Sequence, residues 1–402
     1  MLSWWVPFIS VFSAALITTI ITTPLARRLA WKLHAVDYPA ARRVNQRPIP
    51  RMGGVALMCG LIVAEIVQIL GVNFLGWPRV FVPLARQTVN YPLLFSAFAV
   101  IFITGLLDDK FTLSPTQKLA GQVAASCLAV ASGLMIDEIV NPFQNSIIRF
   151  GIFSLPITVI FLVSYTNIFN LIDGLDGLAS GIACIASLTM WIISSISGRL
   201  DAAILSMMIA GTTLGFLRYN FNPASIFLGD SGSLLIGFAL GSVSLLSVSR
   251  VAGLTAIIIP LVVAGIPIID TFSAIVRRGR AHVSIGHADK GHIHHRLMNA
   301  GLGQRQTALV IYAWTAALCI GSVIMTQVQV FPRIIIFLLL IVASGLFASR
   351  LGLFRPVLLH HTDPETGKDE LVDPQNPAFE QEKEKFDESH LSLGEKNHDL
   401  HL

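Results

Sequence analysis

Runs of about 20 apolar residues, the length a helix needs to cross a bilayer, recur along this chain as far as residue 349 and decide its class. Eleven can be read: 3–24, 52–71, 91–107, 118–136, 152–170, 178–197, 202–219, 233–248, 252–276, 307–326 and 332–349. With 53% hydrophobic and only 13% charged residues, the chain cannot hide this much apolar surface in a soluble core. The expected fold is an all-α integral membrane protein of about eleven transmembrane helices, with a membrane domain over 1–350 and a polar tail over 351–402. Arg27 and Arg28 follow the first run instead of preceding it, the reverse of a cleavable signal, so that helix is expected to be retained. The four cysteines lie inside apolar runs without metal-like spacing and read as small core residues.

Charge sets the expected orientation. Loop 25–51 carries Arg27, Arg28, Lys32, Arg42, Arg43, Arg47 and Arg51, and loop 277–306 carries Arg277, Arg278, Arg280, Lys290, Arg296 and Arg305. Eleven spans put both on one side, which the positive-inside rule makes cytoplasmic, with the N-terminus outside and the tail inside. On that assignment Asp108–Lys110, Asn167–Gly177 and Arg218–Gly232 also face the cytoplasm, so the chemistry-capable residues gather on one face. The other face keeps short loops, apart from a small hairpin expected between 139–143 and 147–151. The tail holds 5 Lys+Arg against 12 Asp+Glu and is expected to be disordered. Its histidines His360, His361, His390, His398 and His401 show no repeating ligand spacing.

Polar residues in this setting mark function. Asn167, Asn170, Asp173 and Asp176 recur every third residue between two apolar runs; on one helix they would form a polar stripe that cannot face lipid. Asp108 and Asp109 are adjacent carboxylates that repel unless a cation or proton lies between them, which suits a metal, a metal–phosphate or a proton-transfer role. Phe227-Leu228-Gly229-Asp230-Ser231-Gly232-Ser233 sets one carboxylate between glycines at a helix start, where backbone can approach phosphate; Asp230 is the leading Mg²⁺ ligand candidate. His282, His287, His292, His294 and His295 cluster with Asp289, Lys290 and Arg296, a set open to a zinc site, a proton relay or an anion clamp, with the basic neighbours favouring phosphate. Pro48, Pro50, Gly53 and Gly54 flank Arg51, within reach of a phosphate or serving as a topological anchor, and Asp37 and Asp270 complete the acidic set.

Taken in order, Pro50-Arg51-Met52-Gly53-Gly54, Leu107-Asp108-Asp109, Asn167–Ala179, Asn222-Pro223-Ala224 with Phe227–Ser233, and His292-Ile293-His294-His295-Arg296 resemble the polyprenyl-phosphate N-acetylhexosamine-1-phosphate transferases. Two positions depart from that pattern: Thr112 replaces a third aspartate after Asp108-Asp109, and Asn45 replaces a histidine before the proline-rich stretch. The resemblance implies that a polyprenyl phosphate attacks the β-phosphate of a UDP-sugar, giving polyprenyl-diphosphate-sugar and UMP, with no nucleic-acid partner.

It further implies Mg²⁺, or Mn²⁺ in its place, on Asp230 with Asn170 as partner. Asp173 and Asp176 would hold the nucleotide or support the metal, and Asp108 and Asp109 would position or deprotonate the lipid phosphate. Arg51, Lys118, His292, His294 and His295 would bind phosphates, with Asn167 and Arg296 in the substrate set. The spacing of His292, His294 and His295 resembles the GlcNAc-1-phosphate enzymes and makes UDP-GlcNAc the expected donor; the alternative is a phospho-MurNAc-pentapeptide translocase. A homodimer is left open. A transporter is the reading from another class, but it wants charges near mid-membrane, where Glu65 is the only acid well inside an apolar run.

Overall fold

A computed structural model of the protein describes residues 5–38, 47–81, 89–140, 146–248, 261–280, 291–354, 359–362, 369–372, 376–379 and 381–382. Twelve helices dominate them: α1 (Val6–Lys32), α2 (Gly53–Leu75), α3 (Tyr91–Phe111), α4 (Pro115–Ala131), α5 (Ser154–Ile172), α6 (Leu178–Ile196), α7 (Leu200–Asn220), α8 (Gly229–Val248), α9 (Gly265–Arg280), α10 (Ile293–Asn299), α11 (Gln304–Gln327) and α12 (Val330–Arg350). Among the described residues nine helices, all but α4, α9 and α10, are long and apolar enough to cross a membrane, so the all-α membrane class holds.

Two of the eleven expected spans are not among these nine. The fourth becomes α4, only 17 residues long, whose start is drawn forward to Pro115 by a capping box: Ser114 Oγ accepts from Gln117 N at 3.3 Å and Gln117 Oε1 accepts from Ser114 N at 3.0 Å. The ninth, 252–276, falls partly on residues 249–260, which lie outside the described residues, as do His282, His287, Asp289, Lys290, Arg42, Arg43 and Asn45.

The chain divides into two units, 1–267 with 304–340 and 268–303 with 341–402, each described by itself. In the first, α8 is the axis and is buried along almost its whole length. Serines at Ser242, Ser244 and Ser247 bond back to carbonyls one turn earlier, so α8 can carry hydroxyls and still bury all round. The start of α2 is strapped to the start of α8. Phe227 N donates to Pro50 O at 2.8 Å, and Gly53 N and Gly54 N donate to Phe227 O and Leu228 O, each at 3.1 Å. A side chain on Gly54 would collide with the Ser231 backbone, which explains the paired glycines after Arg51. Strands β1 (Val36–Asp37) and β2 (Ile49–Pro50) pair antiparallel and hold this strap from the α1 side. The expected hairpin forms from β3 (Glu138–Val140) and β4 (Ile147–Arg149), with Ile139 opposite Ile148.

The second unit contains α9, α10, the end of α12 and a hairpin of β5 (Leu359–Thr362) and β6 (Asp369–Val372). That part of the tail, expected to be unstructured, therefore carries strands. Val372 and Phe379 are buried, and His361 Nδ1 lies 3.0 Å from Glu382 Oε1.

The polar stripe from Asn167 to Asp176 needs a correction: it is not one helix. The α-helix ends at Ile172, Asp173 is its C-terminal cap, and α6 begins only after Gly177, whose φ of 77° is left-handed. The three-residue spacing suggested a continuous helix; Gly174 and Gly177 break it.

Candidate active site

Three helices of the first unit, α3, α4 and α5, bring carboxylates, an ammonium and an amide to the first turn of α8. Asp109, at the end of α3, is buried and turns both oxygens to that turn: Oδ1 accepts from Asp230 N at 2.7 Å, and Oδ2 from Ser231 N at 3.1 Å and Ser231 Oγ at 2.5 Å. A carboxylate here satisfies orphan N–H groups and meets the positive end of the helix. The turn is open to it because Gly229 sits at φ 71°, and a Cβ there would lie 2.6 Å from Asp109 Oδ1.

Asp108, its neighbour, points elsewhere. Its Oδ1 accepts from Leu113 N at 2.7 Å and its Oδ2 lies 3.0 Å from Lys118 Nζ on α4. The same ammonium contacts Asp230 Oδ1 and donates to Asn170 Oδ1 at 3.3 Å. Asn170 Nδ2, from α5, donates to Asp230 Oδ1 at 2.6 Å and to Ser233 Oγ at 2.8 Å. Asp108, Asp230 and Asn170 thus converge on one positive charge.

Asn167 is one turn back on α5 and is spent on α4. Gln122 Nε2 donates to Asn167 Oδ1 at 3.1 Å, and Asn167 Nδ2 donates to Gln122 Oε1 at 2.7 Å and to Val163 O at 2.8 Å. The sequence reading missed Gln122; its only signal was its place one turn after Lys118 on the same helix face. Arg51 NH2 donates to Asp109 O at 3.2 Å, and its Nε is buried with no hydrogen bond among the described residues.

The loop 173–177 divides its two carboxylates. Asp176 Oδ2 accepts from Asn222 Nδ2 at 3.0 Å and Ala224 N at 2.9 Å, so it organises the turn before α8. Asp173 accepts no hydrogen bond among the described residues. Burial, reinforced by the charges of Asp230, Asp109 and Asp176, pushes its carboxyl up to about 8.

In the second unit Asp270 of α9 accepts from Ile293 N at 2.7 Å through Oδ1, while its Oδ2 lies 2.9 Å from His292 Nδ1. His294 is buried, stacked against the His292 ring at 5.9 Å and tilted against the His295 ring at 4.2 Å between centroids. Burial, with the neighbouring His295 next in size, pushes it down to about 3, so this ring is neutral near pH 7. His295 and Arg296 follow in the same short helix.

Such a fold and site define a polytopic membrane enzyme with a cation-centred acidic site at a helix N-terminus. The family described as Glycosyl transferase family 4 matches residues 91–248, the stretch from α3 through α8. Over 342 residues the chain is 36% identical to a probable undecaprenyl-phosphate N-acetylglucosaminyl 1-phosphate transferase of Bacillus subtilis, covering 85% of this chain and 91% of that protein. It is 35% identical to a decaprenyl-phosphate N-acetylglucosaminephosphotransferase of Mycobacterium tuberculosis, covering 77% and 80%. A phospho-N-acetylmuramoyl-pentapeptide-transferase of Listeria welshimeri is 34% identical, covering 59% and 74%. The chain belongs to glycosyl transferase family 4, the membrane transferases that join a sugar phosphate to a polyprenyl phosphate.

Proposed function

We propose that the protein transfers N-acetylglucosamine 1-phosphate from UDP-GlcNAc to a polyprenyl phosphate in the membrane. An oxygen of the lipid phosphate attacks the sugar-bearing phosphorus, the bond to the UMP oxygen breaks, and UMP leaves with the electron pair. Polyprenyl-diphosphate-GlcNAc remains in the bilayer. The observation that carries this reading is the convergence of Asp108, Asp230 and Asn170 on the Lys118 ammonium at the start of α8. Phosphoryl transfer asks mainly for positioning and positive charge around the diphosphate, and this site provides both.

The donor atoms fit a hard divalent cation, Mg²⁺ or Mn²⁺, because all are oxygens. Asp230 and Asn170, with Asp108 beside them, would hold it, and when bound it would neutralise diphosphate charge. Lys118 and Arg51 Nε are the protein's own phosphate donors. Asp173, protonated near neutral pH, can donate to a nucleotide acceptor, while Asp109 and Asp176 hold the backbone in place. His292, His295 and Arg296 supply further anion contacts, and these basic residues support a cytoplasmic site with the N-terminus outside.

The test is UMP release by purified protein with polyprenyl phosphate and Mg²⁺, comparing UDP-GlcNAc, UDP-GalNAc and UDP-MurNAc-pentapeptide. UDP-GlcNAc should be the preferred donor. Turnover of the pentapeptide donor alone would replace this reading with the translocase one.

A further inference from the structure

We infer that Arg277 is a positioning residue: its buried guanidinium holds the histidine segment through Gly291 and ties that segment to the point where the chain leaves α12. Asp270, Ser273 and Arg277 are spaced i, i+3 and i+7, so they form one stripe along α9. The first of them holds the start of α10, through His292 Nδ1 and Ile293 N. The last lies wholly inside the protein, at 0% exposure.

A buried guanidinium is costly unless its N–H groups are used and its charge is held in place. Arg277 NH1 donates to Ser273 Oγ at 3.0 Å, which orients the group, and to Leu353 O at 2.5 Å. Leu353 stands just past the end of α12, where Leu353 N bonds to Ala348 O and Gly352 adopts φ 65°. Arg277 therefore binds a carbonyl exposed by the end of that helix, where a cation is favoured.

Its planar face meets Gly291. A Cβ on Gly291 would lie 2.5 Å from Arg277 Nε and 2.7 Å from its Cζ, so this backbone can pass only without a side chain. Gly291 immediately precedes His292. The guanidinium thus fixes the residue before the histidines and Asp270 fixes the residue after the first of them, while Leu353 anchors the guanidinium. On this arrangement the first three residues after α12 belong to the support of the segment that carries His292, His294 and His295.

The inference rests on the proposed transfer reaction only for its turnover readout, so a second readout needs no substrate. In UMP release, Arg277→Gln should lower kcat by about tenfold while KM for the UDP-sugar stays within about twofold, as expected for lost positioning. Gly291→Ala should do the same alone, yet add little in an Arg277→Ala background, because the clash partner is gone. Arg277→Lys, which keeps the charge but not the flat fork, should behave like Arg277→Gln. A chain ending at Phe354 should keep its kcat, and one ending at Arg350 should reproduce the Arg277→Gln loss. Without substrate, melting temperatures of the Arg277/Gly291 cycle should show the same non-additivity. Additive effects in the melting cycle, or a chain ending at Arg350 with unchanged kcat, would overturn the inference even if no UDP-sugar were turned over; additive melting with an active enzyme would leave the transfer reaction standing.

Discussion

The starts of α8 and α10 are built on one device and differ in what it carries. In each, an aspartate from another helix accepts the first backbone N–H groups: Asp109 takes Asp230 N and Ser231 N, and Asp270 takes Ile293 N. In each, the residue at that turn is one to which the proposed function gives chemistry, Asp230 in the first case and His292 in the second. At α8 the cap and the chemical group are separate carboxylates, and the chemical one is balanced by Lys118. At α10 the same aspartate both caps the backbone and holds the imidazole Nδ1, so one carboxylate does both jobs. Within an acidic motif, then, neighbouring aspartates divide into one that holds and one that is held.

The sharpest way to break that division is to remove each side chain at α8 in turn. Asp230→Asn should lower kcat by about 10³-fold, roughly 4 kcal/mol of transition-state stabilisation, with the melting temperature little changed. Asp109→Asn should instead cost stability, about 1–3 kcal/mol, because an amide can serve only one of the two N–H groups the carboxylate serves now. Kinetics and thermal melting of both purified variants decide it. If Asp109→Asn keeps wild-type melting and loses turnover as severely as Asp230→Asn, the two carboxylates are not divided as described.

A smaller effect separates Asp173 from the hydrogen-bonded aspartates. Its carboxyl is raised to about 8, mainly by burial, from about 3.9 in an unfolded chain. The fold therefore favours the protonated form, and the stability this contributes is complete below about pH 4 and lost as pH rises through about 8. His294, lowered to about 3, acts in the other direction and in a lower window, losing its contribution as pH falls from about 6.5. Between pH 6.5 and 8.5 the melting temperature should fall on account of Asp173, by the equivalent of roughly 1 kcal/mol after allowing for its partial exposure. Asp173→Asn should flatten that slope, and a slope unchanged in the variant would mean the group is already ionised.

Much of this was legible in the sequence because two of its signals are local. Apolar runs of bilayer length give membrane helices wherever they occur, and the Gly-Asp-Ser-Gly run gives a tight helix start with a carboxylate in its first turn. The family resemblance fixed the reaction class. What stayed hidden depends on which helices touch. Nothing in Asp108-Asp109 says that one caps α8 while the other meets Lys118, since adjacent residues on a helix point about 100° apart and only the packing of α3 on α8 chooses between them. Gln122 looked like an ordinary polar residue in a moderately apolar helix. Arg277 looked like one more positive-inside arginine, and its burial depends on the distant Leu353 and Gly291.

The finest test of holder against held concerns Asn167, which the sequence placed in the substrate set and which the structure pairs with Gln122. That amide pair sits one turn from Lys118 on α4 and nearly one turn from Asn170 on α5, so it sets the register in which the ammonium meets its acceptors. Amide pairs between membrane helices are worth about 0.6–1.7 kcal/mol, so Gln122→Ala should cost about that in stability and lower kcat only a few-fold, through Lys118. Exchanging the two side chains, Gln122→Asn with Asn167→Gln, keeps their summed length and both hydrogen bonds, and should restore most of the loss seen in either single exchange. A residue that only holds can be replaced by its mirror in this way, whereas one that touches substrate cannot. Recovery of melting temperature and kcat together in the double exchange makes Asn167 part of the scaffold; recovery of melting temperature alone, with KM for the UDP-sugar still raised, puts its amide on the substrate.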